Sequence, residues 1–119
     1  MPLSVLVVDD DPAFRALAVR ILTAAGLKVV GEADSVAAAR AAVVELKPGA
    51  ALVDIDLPDG NGIALARELK NLPGRPRVLL TSVDGDVVRP EDVRRAGAIA
   101  FVHKSDLPNS GIHELFTVE

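Results

Sequence analysis

The sequence contains no cysteine, no tryptophan and no tyrosine among its 119 residues. Without cysteine, disulfide frameworks, thiolate metal sites and cysteine nucleophiles are excluded, and a reducing compartment fits. Three phenylalanines are the whole aromatic complement, too few for the platforms on which single-stranded nucleic acids stack. An excess of positive charge is also missing. Thirteen Lys and Arg face 17 Asp and Glu, a net charge of −4, which is the wrong sign for a binder of phosphate backbones. No apolar run reaches the roughly 20 residues of a membrane span, and the N-terminus lacks the basic-then-apolar pattern of a signal peptide. We therefore expect a cytoplasmic protein with no direct nucleic-acid or membrane partner. What remains is ordinary globular composition, 50% hydrophobic and 25% charged, at a length that suits one domain over residues 1–119.

The hydrophobic pattern alternates short β-rich runs with amphipathic helical stretches. Residues 3–8 are apolar apart from Ser4, as in a strand buried on both faces. Asp11-Pro12 opens a helix with an N-cap and a first-turn proline. Phe14, Leu17, Ala18, Ile21 and Leu22 form its inward face, and Gly26 stops it. A second strand is predicted over residues 27–33. Ser35 then caps a helix that turns Val36, Ala39, Val43 and Leu46 inward and ends at Pro48-Gly49. The third strand, residues 50–54, runs into the loop Leu57-Pro58-Asp59-Gly60-Asn61-Gly62 and a helix carrying Ile63, Ala66 and Leu69. Residues 77–80 are a fourth strand, Pro90 starts a short helix that ends at Gly97, and residues 99–102 are the fifth strand. In the last segment, residues 105–119, Pro108 and Gly111 leave room for a short helix around Ile112, Leu115 and Phe116. Such alternation implies an α/β fold, a doubly wound parallel sheet with helices on both faces. Ligands of such sheets bind beyond the carboxyl ends of the strands.

The polar residues gather at those ends. Strand one finishes in Asp9-Asp10-Asp11 and strand three in Asp54, with Asp56 just beyond. Converging carboxylates repel one another and raise each other's pKa values. A hard divalent cation relieves the repulsion, and Mg²⁺ takes one or two protein carboxylates together with water and phosphate oxygens. Strand four ends in the hydroxyls of Thr81-Ser82, and strand five leads to Lys104, a mobile point cation. This inventory serves phosphoryl transfer, where catalysis is mostly positioning and charge neutralisation. Asp11, beside Pro12, reads as a helix cap, and His103 and His113 lack metal-ligand spacing and read as surface or packing residues.

These residues carry a resemblance to a known family. Val7-Val8-Asp9-Asp10, Asp54-Ile55-Asp56-Leu57-Pro58 with Gly62, Thr81-Ser82, Phe101 and Lys104 resemble, in order, the motifs of the receiver domains of two-component response regulators. The resemblance implies a flavodoxin-like five-stranded sheet of order 2-1-3-4-5. It implies that Asp54 is phosphorylated and that Asp10, Asp54 and the main-chain carbonyl of Asp56 hold Mg²⁺, with Asp9 acting through water. It further implies that Thr81 and Lys104 contact the phosphoryl group and that Phe101 changes rotamer as the surface of helix four, strand five and helix five rearranges. The implied partners are a histidine kinase or phosphotransfer protein, an output domain or partner protein, and a second copy in a phosphorylation-dependent homodimer. Such a domain is a switch and not an enzyme in its own right. The family's proline after the lysine is replaced by Ser105, and the stretch from Thr81 to Lys104 is about one residue longer than the family's spacing, so Thr81 and Ser82 both stand as the switch hydroxyl. Two other readings compete. Leu52-Val53-Asp54-Ile55-Asp56 also reads as the strand-terminal motif of haloacid-dehalogenase-type phosphohydrolases, although Pro58 stands where that family has Thr or Val. A degenerate receiver that only docks partners is the other.

Overall fold

The computed structural model describes residues 2–83 and 88–117. Residues 118 and 119, the end of the expected last segment, lie outside the described residues, as do residues 1 and 84–87. Five parallel strands form the main sheet: β1 (Ser4–Val8), β2 (Lys28–Ala33), β3 (Ala50–Asp54), β4 (Arg77–Ser82) and β5 (Ala100–His103). Their spatial order is β2-β1-β3-β4-β5, the 2-1-3-4-5 order of the flavodoxin-like fold. The central strand β3 is buried at every position, which is why it reads as an unbroken apolar run ending in one Asp. Side chains alternate cleanly across the sheet. Val5, Val7, Ala50, Leu52 and Leu79 pack with Phe14, Leu22, Leu107 and Phe116 on one face. Leu6, Val8, Ala51, Val53, Val78 and Leu80 pack with Val36, Ala39, Leu65 and Leu69 on the other.

The first face is covered by α1 (Pro12–Ala24) and α5 (Ile112–Thr117), the second by α2 (Val36–Leu46), α3 (Gly62–Leu69) and α4 (Pro90–Arg95). The caps expected from the sequence form: Asp11 accepts the Ala13 N–H at 3.0 Å and Ser35 Oγ accepts that of Ala38 at 3.0 Å. Among the described residues no helix is long and apolar enough to cross a membrane.

Several boundaries and burials differ from expectation. Leu17 and Leu46 are not core residues, being 44% and 41% exposed. In α1 the buried line is Phe14, Ala18 and Leu22, spaced by four, and Leu17 falls beside it. Leu46, at the end of α2, lies over Gly31 of the edge strand β2, where a Cβ would stand 2.6 Å from its methyl group. Leu65 takes an inward place in α3 beside Ala66 and Leu69, while Ile63 stays half-buried. Strand β4 continues through Thr81 and Ser82, and β5 starts and ends one residue later than expected. Lys104 therefore opens a 3₁₀ turn, Lys104–Asn109. His103 caps that turn, its Nδ1 accepting the Ser105 N–H at 3.3 Å, so it has a role beyond packing.

Candidate functional site

Strand parity decides which polar residues meet. The alternation that puts Val5 and Val7 on the α1/α5 face carries on to Asp9, and the one that puts Ala50 and Leu52 there carries on to Asp54. Thr81 follows Leu79 in the same way and is the register partner of Asp54. Lys104 follows Ala100 and Val102 from β5. Four side chains from four adjacent strands thus converge at one end of one sheet face. Ser82 and Phe101 have the opposite parity, and Phe101 packs against the α2/α3/α4 side.

The geometry bears this out. Lys104 Nζ lies 2.7 Å from Asp9 Oδ2 and 3.5 Å from Asp54 Oδ2. Asp9 is 1% exposed and Asp54 4%, while Asp10 points to solvent. Asp9 Oδ1 accepts the Asp11 N–H at 2.8 Å, and Asp54 Oδ1 accepts the Asp56 N–H at 3.3 Å. Thr81 Oγ1 is buried and has no hydrogen-bond partner among the described residues, a costly state for a hydroxyl unless a ligand supplies the partner. Asp56 is exposed, and its Oδ2 accepts the Ser82 hydroxyl at 3.2 Å.

Burial first, and then the charge of Asp9, push the Asp54 carboxyl up to about 6, against the opposing pull of Lys104 and of the Asp56 N–H. For Lys104 burial works downward, but its contacts with Asp9 and Asp54 outweigh it and leave the ammonium more firmly protonated than usual. Asp9, Asp10 and Asp54 each offer an oxygen, and these lie within 4.8 Å of one another. Three carboxylates against one ammonium leave uncompensated negative charge. All the donors are oxygens, which suits a hard cation such as Mg²⁺ and not a thiophilic metal. The residues fit that ion.

The loop after Asp54 is tightly made. Asp56–Leu57 pairs antiparallel with Gly60–Asn61, and the Gly62 N–H returns to the Ile55 carbonyl at 2.8 Å. Gly62 is required for space: a Cβ there would collide with the Asp54 carbonyl. Asp59 reaches across to α2, accepting the N–H groups of Val36 at 2.7 Å and Ala37 at 3.0 Å. Those hydrogen bonds hold its carboxyl below the ordinary range. Three further residues escaped the sequence reading. Arg15 donates to the Asp9 carbonyl at 2.7 Å and pairs with Glu32 at 3.1 Å. Phe14, read as core, also places its ring beneath Lys104, and Asp59, read as a turn residue, is a cap. Phe101 borders a cleft of about 370 Å³ shared with Val88, Val93 and Ile99.

Comparison with known proteins gives one answer. The model of the response regulator receiver domain matches residues 5–115. The DNA-binding transcriptional activator DevR/DosR of Mycobacterium tuberculosis is 42% identical over 102 residues, 84% of this chain but 46% of that protein. The chain thus spans about half the length of that relative. The chemotaxis protein CheY of Thermotoga maritima is 32% identical over 111 residues, covering 93% of this chain and 92% of its own length. Among solved structures, a two-component response regulator of the LuxR family from Aurantimonas sp. superposes with a TM-score of 0.86 at 26% identity, over 97% of this chain and 83% of that one. By sequence, by sheet order and by the residues gathered at the strand ends, the chain belongs to the response regulator receiver domain family.

Proposed function

We propose that residues 1–119 act as one phosphoacceptor unit in which Asp54 receives a phosphoryl group from the phosphohistidine of a histidine kinase or phosphotransfer protein. The observation that carries this reading is the buried Asp54 carboxylate, fixed at the end of the central strand with Lys104 at 3.5 Å and the partnerless Thr81 hydroxyl in register beside it. An Asp54 oxygen attacks phosphorus, the phosphorus–nitrogen bond of the donor breaks, and the imidazole leaves. Asp10, Asp54 and the Asp56 carbonyl would hold Mg²⁺, with Asp9 acting through water. When bound, that ion neutralises phosphoryl oxygens and orients them. Lys104 takes another phosphoryl oxygen, and Thr81 supplies the hydrogen bond it does not spend elsewhere. A carboxylate is a weak nucleophile, and fixed in-line placement can contribute on the order of 7–11 kcal/mol to such a step.

Thr81 is the switch hydroxyl on this reading, because Ser82 lies on the other face and serves Asp56. Phe101 is the switch ring, with the neighbouring cleft to move into. The rearranged α4-β5-α5 surface is then read by an output domain, a partner protein or a second copy. The domain is a cytoplasmic switch, and its only chemistry is self-catalysed phosphotransfer and hydrolysis. A docking module without phosphorylation would gain nothing from burying two carboxylates beside each other, which is costly in the absence of a ligand. The test is intact-mass analysis after incubation with acetyl phosphate and Mg²⁺. One phosphoryl group is expected on the native chain and none on Asp54→Asn or in chelator. Full labelling of Asp54→Asn would overturn the proposal.

A further inference from the structure

Lys104 has a third neighbour that is not a carboxylate. Its Nζ stands 4.3 Å from the centroid of the Phe14 ring, within the distance at which a ring face attracts a cation. Phe14 sits in the first turn of α1, whose start is set by the Asp11 cap and Pro12. It is only 9% exposed, because its ring is packed among the residues of the α1/α5 face. The ring is therefore a packed floor, and the Lys104 side chain, 13% exposed, lies between it and the two aspartates. The two residues come from opposite ends of the chain, and nothing in their spacing announces the contact.

We propose that Phe14 is a positioning residue for Lys104, its ring face keeping the ammonium in the pocket when the carboxylates cease to hold it. The proposal rests on the function proposed above. Asp9 and Asp54 hold Lys104 electrostatically. A divalent cation attracted to Asp9, Asp10 and Asp54 competes for the same negative charge, and phosphorylation of Asp54 to the acyl phosphate turns one of its oxygens into a bridge to phosphorus. Both events loosen the ion pairs at the moment when Lys104 must meet the phosphoryl oxygens. The quadrupole of a phenyl ring is neither titrated nor neutralised by the metal, so this attraction persists through every step. A four-carbon stem on a flexible lysine would otherwise scatter its head group into solvent, at a cost in rotamer entropy on each return.

The experiment separates the ring's electrostatics from its packing. Phe14 in the full chain is replaced in turn by 4-fluoro-, 3,5-difluoro- and 3,4,5-trifluorophenylalanine, which keep the ring's shape while draining its face of negative charge. The initial rate of phosphoryl gain from acetyl phosphate and Mg²⁺ is followed by intact mass. The expected result is a stepwise fall across the series, about threefold to thirtyfold in total from the usual strength of such contacts, with urea midpoints unchanged. In a Lys104→Met background the same series should be flat. A flat series in the native background, or an equal slope with Lys104→Met, would overturn the proposal. A second readout does not depend on phosphorylation: the ε-methylene protons of Lys104 should resonate upfield in the native protein and return to the ordinary lysine position in Phe14→Leu. An ordinary position in the native protein would also overturn it. If the native chain accepts no phosphoryl group, the functional reading itself fails, and the methylene shift alone decides the ring–ammonium contact.

Discussion

Asp54→Asn should make the metal-free protein more stable at neutral pH, although it removes the group on which the proposed function rests. Folding moves the Asp54 carboxyl from 3.8 to about 6, chiefly by burial and next by the charge of Asp9. That displacement corresponds to about 3 kcal/mol of disfavour for the ionised form in the native state. Asparagine has the same shape and no charge, and it keeps an oxygen for the Asp56 N–H; the attraction of Lys104 at 3.5 Å that it gives up is already counted within the displacement. A net gain of about 1–3 kcal/mol follows. The sign of the pH dependence is fixed by linkage. Between pH 3.8 and about 6 the folded state holds the Asp54 proton and the unfolded chain has released it. Native stability therefore carries a contribution that is complete below 3.8 and is lost as pH rises through about 6. The variant escapes that loss, so its advantage should be small at pH 4 and full at pH 7.5. Urea unfolding in chelator at the two pH values measures both quantities. An Asp54→Asn protein less stable than the parent at pH 7.5, or equally advantaged at both pH values, would refute the reasoning.

Saturating Mg²⁺ should raise the melting temperature of the native protein, by the equivalent of about 2.7 kcal/mol at a hundredfold excess over its dissociation constant. Asp10→Asn should abolish most of that rise, and calorimetry with and without Mg²⁺ checks it. Gly62→Ala should destabilise the fold by about 1–3 kcal/mol, because the added methyl group is driven into the Asp54 carbonyl, and denaturant unfolding would show it. Phosphorylation should change hydrogen-exchange protection mainly from residue 81 onward, and changes confined to α1 and α2 would count against Phe101 as the coupling residue.

The sheet and its helices were legible because local signals and global packing agree residue by residue. Val5 to Val8 and Ala50 to Val53 are apolar since both of their faces are covered, and Asp11, Ser35, Gly26 and Gly62 stand where caps, stops and close approaches demand them. The acidic pair, Asp54 and Lys104 were legible as a set of strand ends. The roles of single residues were less so, wherever a contact joins distant segments. Leu17 satisfies helical periodicity and yet faces outward, because periodicity locates a face only to within a neighbouring position. Asp59 looks like any turn aspartate, and only folding brings it to the α2 N-terminus, 23 positions back. Between Thr81 and Ser82, open on spacing, the proposal takes Thr81 because its strand position shares the face of Asp54 while Ser82 bonds Asp56.

The most direct measurement locates the modified atom. The native protein is phosphorylated with acetyl phosphate and Mg²⁺ and then reduced with borohydride, which converts an aspartyl phosphate into homoserine and leaves free carboxylates untouched. Peptide sequencing by mass spectrometry then reads the position. Homoserine at position 54, and at that position alone, is the result predicted here. Homoserine at position 9, 10 or 56, or none at all from a protein that has gained a phosphoryl group, would contradict it.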